Sequence, residues 1–312
     1  LAPFAAVHLS TGELLHAIED PASALHLNRT LSHVQLDAQG GLVVRDEEGH
    51  EAVPQALIGA DGLWSRVRQQ VWQDAAPTPT GHWAYRSLLP MSLLPKRWRE
   101  PQVRVWMAPG MHAVHYPVRR GEWLNVVLLI EGSDAMAQSG WDVNRAPELI
   151  QADVQRALRG LCHDVHDVLR SVEQWRVWSL HARPVVRSAQ DLVRGRVALL
   201  GDAAHPMLPY LAQGAGMALE DAQALALRLQ ERPQAQAWEA ALHAYGERRW
   251  ARSAQVQRAA LRNAHIFHAS GPLAWARNTA LRCNPIRMQT RGPPSRGTAI
   301  WQMPEKAYPG LR

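Results

Sequence analysis

Cysteine is scarce in this chain: Cys162 and Cys283 are the only two in 312 residues. Two thiols cannot build a disulfide framework, and such usage fits a reducing compartment, so a cytoplasmic protein is expected. Long apolar runs are missing as well. None approaches the ~20 residues of a membrane-spanning helix, so no membrane partner is expected. The opening LAPFAAVHLSTGELLHAI lacks a basic start running into a clean apolar core, which argues against a secretory signal. There is no Gly-x-Ser-x-Gly elbow and no Walker loop, which removes the usual hydrolase and nucleoside-triphosphatase readings. No internal repeat is found. Nor does any strand candidate run into Gly-x-Gly-x-x-Gly, the turn that cradles a dinucleotide pyrophosphate.

What is present is enough to bury a substantial core. Hydrophobic residues make up 46% of the chain, and the length suits one large or two moderate domains. The net charge of +6 and a pI near 9.9 suit anionic small molecules. No nucleic-acid-binding motif accompanies the arginines, so no nucleic-acid partner is expected.

The organising stretch is RVALLGDAAHPMLPYLAQGAGMALEDAQALALR, from Arg196 to Arg228. Val197, Ala198, Leu199 and Leu200 form an apolar run suited to a strand buried on both faces. Gly201 and Asp202 follow where the strand ends, a place where a carboxylate meets ligands. A loop carries His205, Pro206 and Tyr210 to Gln213, Gly214, Ala215, Gly216 and Met217. The pattern then turns helical, with Ala218, Ala222, Leu225, Ala226 and Leu229 expected on one face. Glycines at a helix entrance let a ligand approach the backbone, and the N–H groups there suit an anion or a ring oxygen.

A second strand candidate, Ala56 to Ala60, runs into Asp61 and Gly62. Ser65 is placed to cap a short helix carrying Arg66, Val67, Arg68 and Val71. Taken together, GDAAHPMLPYLAQGAGMALEDA and IGADGLWSRVR resemble two motifs of the single-component flavin-dependent aromatic hydroxylases, the family of salicylate and hydroxybenzoate monooxygenases. The resemblance implies FAD as cofactor. It implies that Asp202 bonds the ribityl chain and that the helix mouth, Gly214, Ala215, Gly216 and Met217, faces the flavin's pyrimidine edge, with Gln213 and Gly201 also among the cofactor-binding residues. It also implies that Asp61 and Gly62 sit near the pyrophosphate and that Arg68 supports that loop. NADH or NADPH would reduce FAD, dioxygen would add at flavin C4a, and the hydroperoxide would hydroxylate a small aromatic acid or related heterocycle. His205 is the candidate base or substrate anchor, with a plain loop role as its rival. Tyr210 would hydrogen-bond substrate, and the Pro206 carbonyl would face the ring edge. The rival readings are a flavoenzyme of different oxidative chemistry and an inactive remnant. The oligomeric state is not legible.

The implied fold is α/β: a glutathione-reductase-like FAD domain lacking its N-terminal Gly-x-Gly-x-x-Gly βαβ unit, with an inserted antiparallel substrate-binding sheet and C-terminal helices. The missing fingerprint reads as an N-terminal truncation. PFAAVHLSTGELLHAI resembles a family segment in which His8 is kept, but Leu9 replaces a flavin-contacting Arg. Residues 1–80 are assigned to the rest of the FAD domain, with a β-meander over 33–53. Residues 81–185 form the substrate sheet, including a hairpin of His112–Val118 and Trp123–Ile130. This part resembles the family's sheet that roofs the substrate pocket. A helix is expected from Pro147. Residues 186–283 hold the second FAD motif and the C-terminal helices, with a helix over 235–269 ended by Gly271 and Pro272. Residues 284–312, polar and rich in Pro and Gly, are expected to be disordered. Cys162, His163 and His166 have ligand-like spacing but no second pair, so no metal is expected.

Overall fold

A computed structural model describes residues 29–36, 41–100, 102–132, 145–231, 238–283, 288–291 and 298–302. The His8 and Leu9 segment lies outside them. Two compact units divide the chain; among the described residues, one comprises 29–78 with 181–264 and the other 79–180 with 265–302.

The first unit opens with the expected meander. β1 (Leu31–Leu36) pairs antiparallel with β2 (Leu42–Asp46), and β2 with β3 (Glu51–Ala52). β4 (Leu57–Gly59) then leads to α1 (Arg66–Trp72). After the other unit's strands, β10 (Val193–Arg194) and β11 (Val197–Leu199) complete a three-stranded sheet in the order β10-β11-β4. β11 runs parallel to β4, with Val197 opposite Leu57 and Leu199 opposite Gly59. Val197, Ala198 and Leu199 are wholly buried, as an apolar run with no polar face requires.

Two helices close this unit. α4 (Gly214–Gln230) and α5 (Trp238–Phe267) follow the strand, with α2 (Pro147–Gly160) and α3 (His166–Arg170) belonging to the other unit. The buried stripe of α4 is Met217, Asp221 and Leu225, whereas Ala222 and Ala226 are exposed. The expected face was therefore rotated, because a fully satisfied aspartate took a core position that periodicity reserves for apolar residues. α5 buries Tyr245, Arg249, Ser253 and Gln257, a polar row spaced at every fourth residue.

The second unit is built on a seven-stranded sheet, order β12-β13-β6-β7-β8-β5-β9, in which β12 is Met288–Arg291 and β13 is Thr298–Gln302. Its central strands are β5 (Thr78–Pro90), β6 (Arg104–Ala108), β7 (Met111–Val118) and β8 (Trp123–Glu131), with β9 (Arg176–Ala182) at one edge. α2 (Pro147–Gly160) and α3 (His166–Arg170) contribute to the core packed on Trp83, Tyr85, Trp106 and Leu128. Each such large side chain contributes about 1.5–3 kcal/mol on burial. The Tyr85 hydroxyl donates to Asp153 of α2, tying that helix to the strands.

Two expectations at the C-terminus need correcting. Gly271 and Pro272 do not merely end a helix; they begin α6 (Gly271–Cys283), since Pro is well tolerated in a first turn. Residues 288–291 and 298–302, expected to be disordered, form β12 and β13, and β13 pairs with β6. Backbone hydrogen bonds to an open strand edge need no hydrophobic pattern, so composition gives no sign of them.

Candidate functional site

The parallel β4–β11 pair brings the two sequence motifs together. Both strands end at the same carboxyl edge, from which Asp61 and Gly62 leave one strand and Gly201 and Asp202 the other. The strands pack against α1 without room for a side chain: a Cβ on Gly59 would stand 2.8 Å from Leu199 Cδ2 and 2.9 Å from Val67 Cβ. Gly201 turns the chain with φ +56°, and a Cβ there would meet Ala218 Cβ at 3.2 Å. The α4 N-terminus is thereby held close to the strand end.

Asp202 is solvent-accessible, yet protein surrounds its flanks. That partial burial raises its carboxyl above the usual range, with His205 opposing the shift. A Cβ on Gly214 would lie 3.9 Å from Asp202 Oδ1, so carboxylate and helix mouth adjoin. Gln213 supplies no side-chain cap to α4, and the space in front of Gly216 is open. Met217 differs from its neighbours. It is wholly buried, its amide donates to Gln213 O at 2.9 Å, and only its backbone belongs to the mouth.

The Asp61 loop is fixed by α1. Ser65 Oγ accepts from Arg68 N at 2.9 Å, and Asp61 Oδ2 accepts from Val67 N at 3.1 Å, so two oxygens cap one helix start. Gly62, at φ +76°, has open space where a Cβ would stand. Arg68 is buried and reaches across the strand pair. Its Nε donates to Asp74 Oδ2 at 2.6 Å, and its Nη1 to the carbonyls of Ala203 and Ala204 at 3.1 and 2.7 Å. One guanidinium stitches the two motifs together.

His205, Pro206 and Tyr210 lie on the loop's inner side, all buried. His205 Nε2 is 2.6 Å from Asp221 Oδ2, and the Pro206 carbonyl accepts from Gln257 Nε2 at 3.0 Å. The Tyr210 carbonyl accepts from Asn263 Nδ2 at 3.2 Å. Both helices engage this loop: Asp221 of α4 holds the His205 ring, and Gln257 and Asn263 of α5 hold the Pro206 and Tyr210 carbonyls. Asp221, which sequence reasoning missed, is the centre of the arrangement. It accepts from Gly201 N at 2.9 Å and from Arg249 Nε at 2.7 Å, besides its contact with His205. Burial alone would raise its carboxyl, but the hydrogen bonds of His205, Gly201 and Arg249 hold it below the usual carboxylate range. An acid between Met217 and Leu225 on a buried stripe was the available signal.

Comparison with known proteins fits this geometry. The family model described as an FAD binding domain matches residues 14–260. The chain belongs to this family. A 3-hydroxybenzoate 6-hydroxylase 1 from Aquipseudomonas alcaligenes is 37% identical over 223 residues, covering 71% of this chain and 54% of that protein. A 3-hydroxybenzoate 6-hydroxylase 2 from the same organism is 32% identical over 252 residues, covering 81% and 75%. A solved salicylate hydroxylase substrate complex is 26% identical with a TM-score of 0.67, covering 81% of this chain and 64% of that one. The chain thus spans 54% and 64% of the first two curated relatives it matches. Among the described residues, no helix is long and apolar enough to cross a membrane.

Proposed function

We propose that the chain binds FAD along the β4–β11 carboxyl edge and belongs to an NADH- or NADPH-dependent monooxygenase that hydroxylates a small aromatic acid or related heterocycle with dioxygen. The observation that carries this reading is the convergence of the Asp61–Gly62 and Gly201–Asp202 turns with an uncapped α4 mouth. The open space at Gly62 and Gly216 suits close approach of a flat ring and a phosphate chain to backbone N–H groups. Its resemblance to the hydroxybenzoate hydroxylases supplies the substrate class.

In this reading Asp202 accepts a ribityl hydroxyl, and the backbone from Gln213 to Met217 faces the polar edge of the ring. Gly201 sets the turn that aims Asp202. Asp61 and Gly62 lie by the pyrophosphate, and Arg68 holds their loop against the other. Bound FAD would supply the redox and oxygen-activating chemistry, while the protein binds, orients and excludes water. His205, Pro206 and Tyr210 become positioning residues: Asp221, Gln257 and Asn263 fix the loop so that the Asp202 carboxylate is preorganised. In this reading the first unit is a glutathione-reductase-like FAD domain, and its Gly-x-Gly-x-x-Gly unit is not in the given sequence. The seven-stranded sheet is the substrate-binding element and the helices after β11 its C-terminal part.

Titration of the purified chain with FAD, followed by flavin fluorescence, tests the first half. Saturable binding weakened at least tenfold by Asp202→Ala is expected. Binding unchanged by both Asp202→Ala and Gly216→Val would sink the assignment of the edge. Aromatic-acid-dependent NAD(P)H oxidation with a hydroxylated product tests the second half.

A further inference from the structure

The seven-stranded sheet carries a cluster that the hydroxylase reading does not use. We propose that His82, Glu131 and His268 form a binding site for a first-row divalent cation of the zinc class. The inference rests on the second unit alone and stands whether or not the FAD assignment holds.

The three side chains come from elements that cannot drift apart. His82 on β5 and Glu131 on β8 are direct cross-strand partners, so the pairing register itself sets them side by side. His268 follows α5, and Gly110, in the tight β6–β7 turn, fastens it. The Gly110 amide donates to the His268 carbonyl at 3.0 Å, while its own carbonyl accepts from Glu131 N at 2.9 Å. A residue with a side chain is disfavoured at Gly110, where φ is +68° and a Cβ would stand 3.5 Å from Glu131 Oε2.

The donor atoms already converge. One ligand atom from each residue lies within 4.8 Å of the others, and His268 Nδ1 is 2.9 Å from Glu131 Oε1. A tetrahedral ion with bonds of about 2.0–2.2 Å sets its ligands roughly 3.4 Å apart. Glu131 is half-exposed and has room to adjust towards an ion, while the His268 ring is buried. The other nitrogen of that ring, Nε2, is 2.8 Å from Nδ1 of the wholly buried His112. That is the outer contact which orients a metal-bound imidazole and fixes its tautomer. Two imidazoles and one carboxylate are a borderline set that favours zinc, cobalt or iron over calcium or magnesium. His82 and Glu131 are not buried, leaving solvent to complete the coordination.

A second group, Asp46, Glu48 and His50, offers converging atoms on an exposed turn of the first unit and serves as the control. The full chain, freed of metal by chelation, is titrated with Co²⁺ while its visible absorption is recorded, then with Zn²⁺ in competition. One tight site with low-coordinate cobalt bands is expected, displaced by Zn²⁺. His82→Asn with Glu131→Gln should weaken it at least about tenfold. Asp46→Asn and Cys162→Ser should leave it unchanged. Far-UV circular dichroism and the metal-free Tm of the double variant establish that it folds; Zn²⁺ should raise the Tm of the wild type but not of the variant. Absence of a cobalt site in the wild type overturns the proposal, as does undiminished binding by the folded double variant.

Discussion

Arg68 Nη1 donates to the carbonyl of Ala204 at 2.7 Å across 136 positions of sequence, and this bond joins the two halves of the candidate flavin edge. The same nitrogen reaches Ala203, and Nε holds Asp74. Replacing Arg68 with Met leaves two inward carbonyls without their donor. A loss of about 2–4 kcal/mol in unfolding free energy is expected from urea melts. FAD affinity should fall with it, and Arg68→Lys should restore only part, since an ammonium lacks the planar fork. Wild-type FAD affinity in a destabilised Arg68→Met would separate the guanidinium from the cofactor edge.

Asp221→Asn removes the charge that Gly201, His205 and Arg249 share. Arg249 keeps Glu220, 2.8 Å away, but that partner is partly exposed. A cost of about 3–5 kcal/mol is expected for breaking the buried pair. Glu220→Gln should cost under about 1 kcal/mol, as exposed pairs do. Equal effects of the two substitutions would contradict the burial argument.

Ala212 sits in the left-handed region at φ 50° and ψ 36°, immediately before the α4 mouth. That conformation costs an L-residue about 1–2 kcal/mol, part of which glycine gives back through its freer unfolded chain. Ala212→Gly should therefore stabilise the protein by about 0.5–1 kcal/mol. A lower Tm for this variant would remove strain as a feature of the loop.

His115 lies between Trp98 and Trp106, buried, with neither ring nitrogen hydrogen-bonded. Burial, reinforced by the nearby Arg104 charge, pushes its pKa down to about 3 from the usual 6.5. The folded state thus holds the neutral ring while the unfolded chain takes up a proton. Stability from this group is complete above pH 6.5 and falls as pH drops towards 3, by about 1.4 kcal/mol per unit. His115→Leu should stabilise at pH 7 by about 1–2 kcal/mol and flatten the slope between pH 6 and 4 by one proton. An unchanged slope would show that the ring is protonated or hydrated in the folded state.

Local pattern made much of this fold readable. The apolar runs at Leu57–Gly59 and Val197–Leu199 are strands, and the expected hairpin of β7 and β8 forms, joined by a turn at Arg119–Gly121. Of the motif glycines, Gly59 and Gly201 stand where close packing demands them. What escaped reading was the polar interior. Tyr245, Arg249 and Gln257 look like the solvated side of a helix, yet they bond Leu199, Asp221 and Pro206 from inside. Periodicity counts such residues as exposed, because their burial depends on partners contributed from elsewhere in the chain. The same limit hid His82, Glu131 and His268, which only strand register and a return of the chain bring together.

The β4–β11 pair has a consequence for how the protein is made. β4 is complete at Gly59, but its hydrogen-bonding partner ends at Leu199, about 140 residues later. At about 5–20 residues per second a ribosome takes roughly 7–28 seconds to deliver that partner. The hairpin of β7 and β8 closes from neighbouring sequence within that interval, whereas the candidate flavin edge forms only when translation is well advanced. Until then β4 is an unpaired strand in the nascent chain, with its backbone groups open to wrong partners.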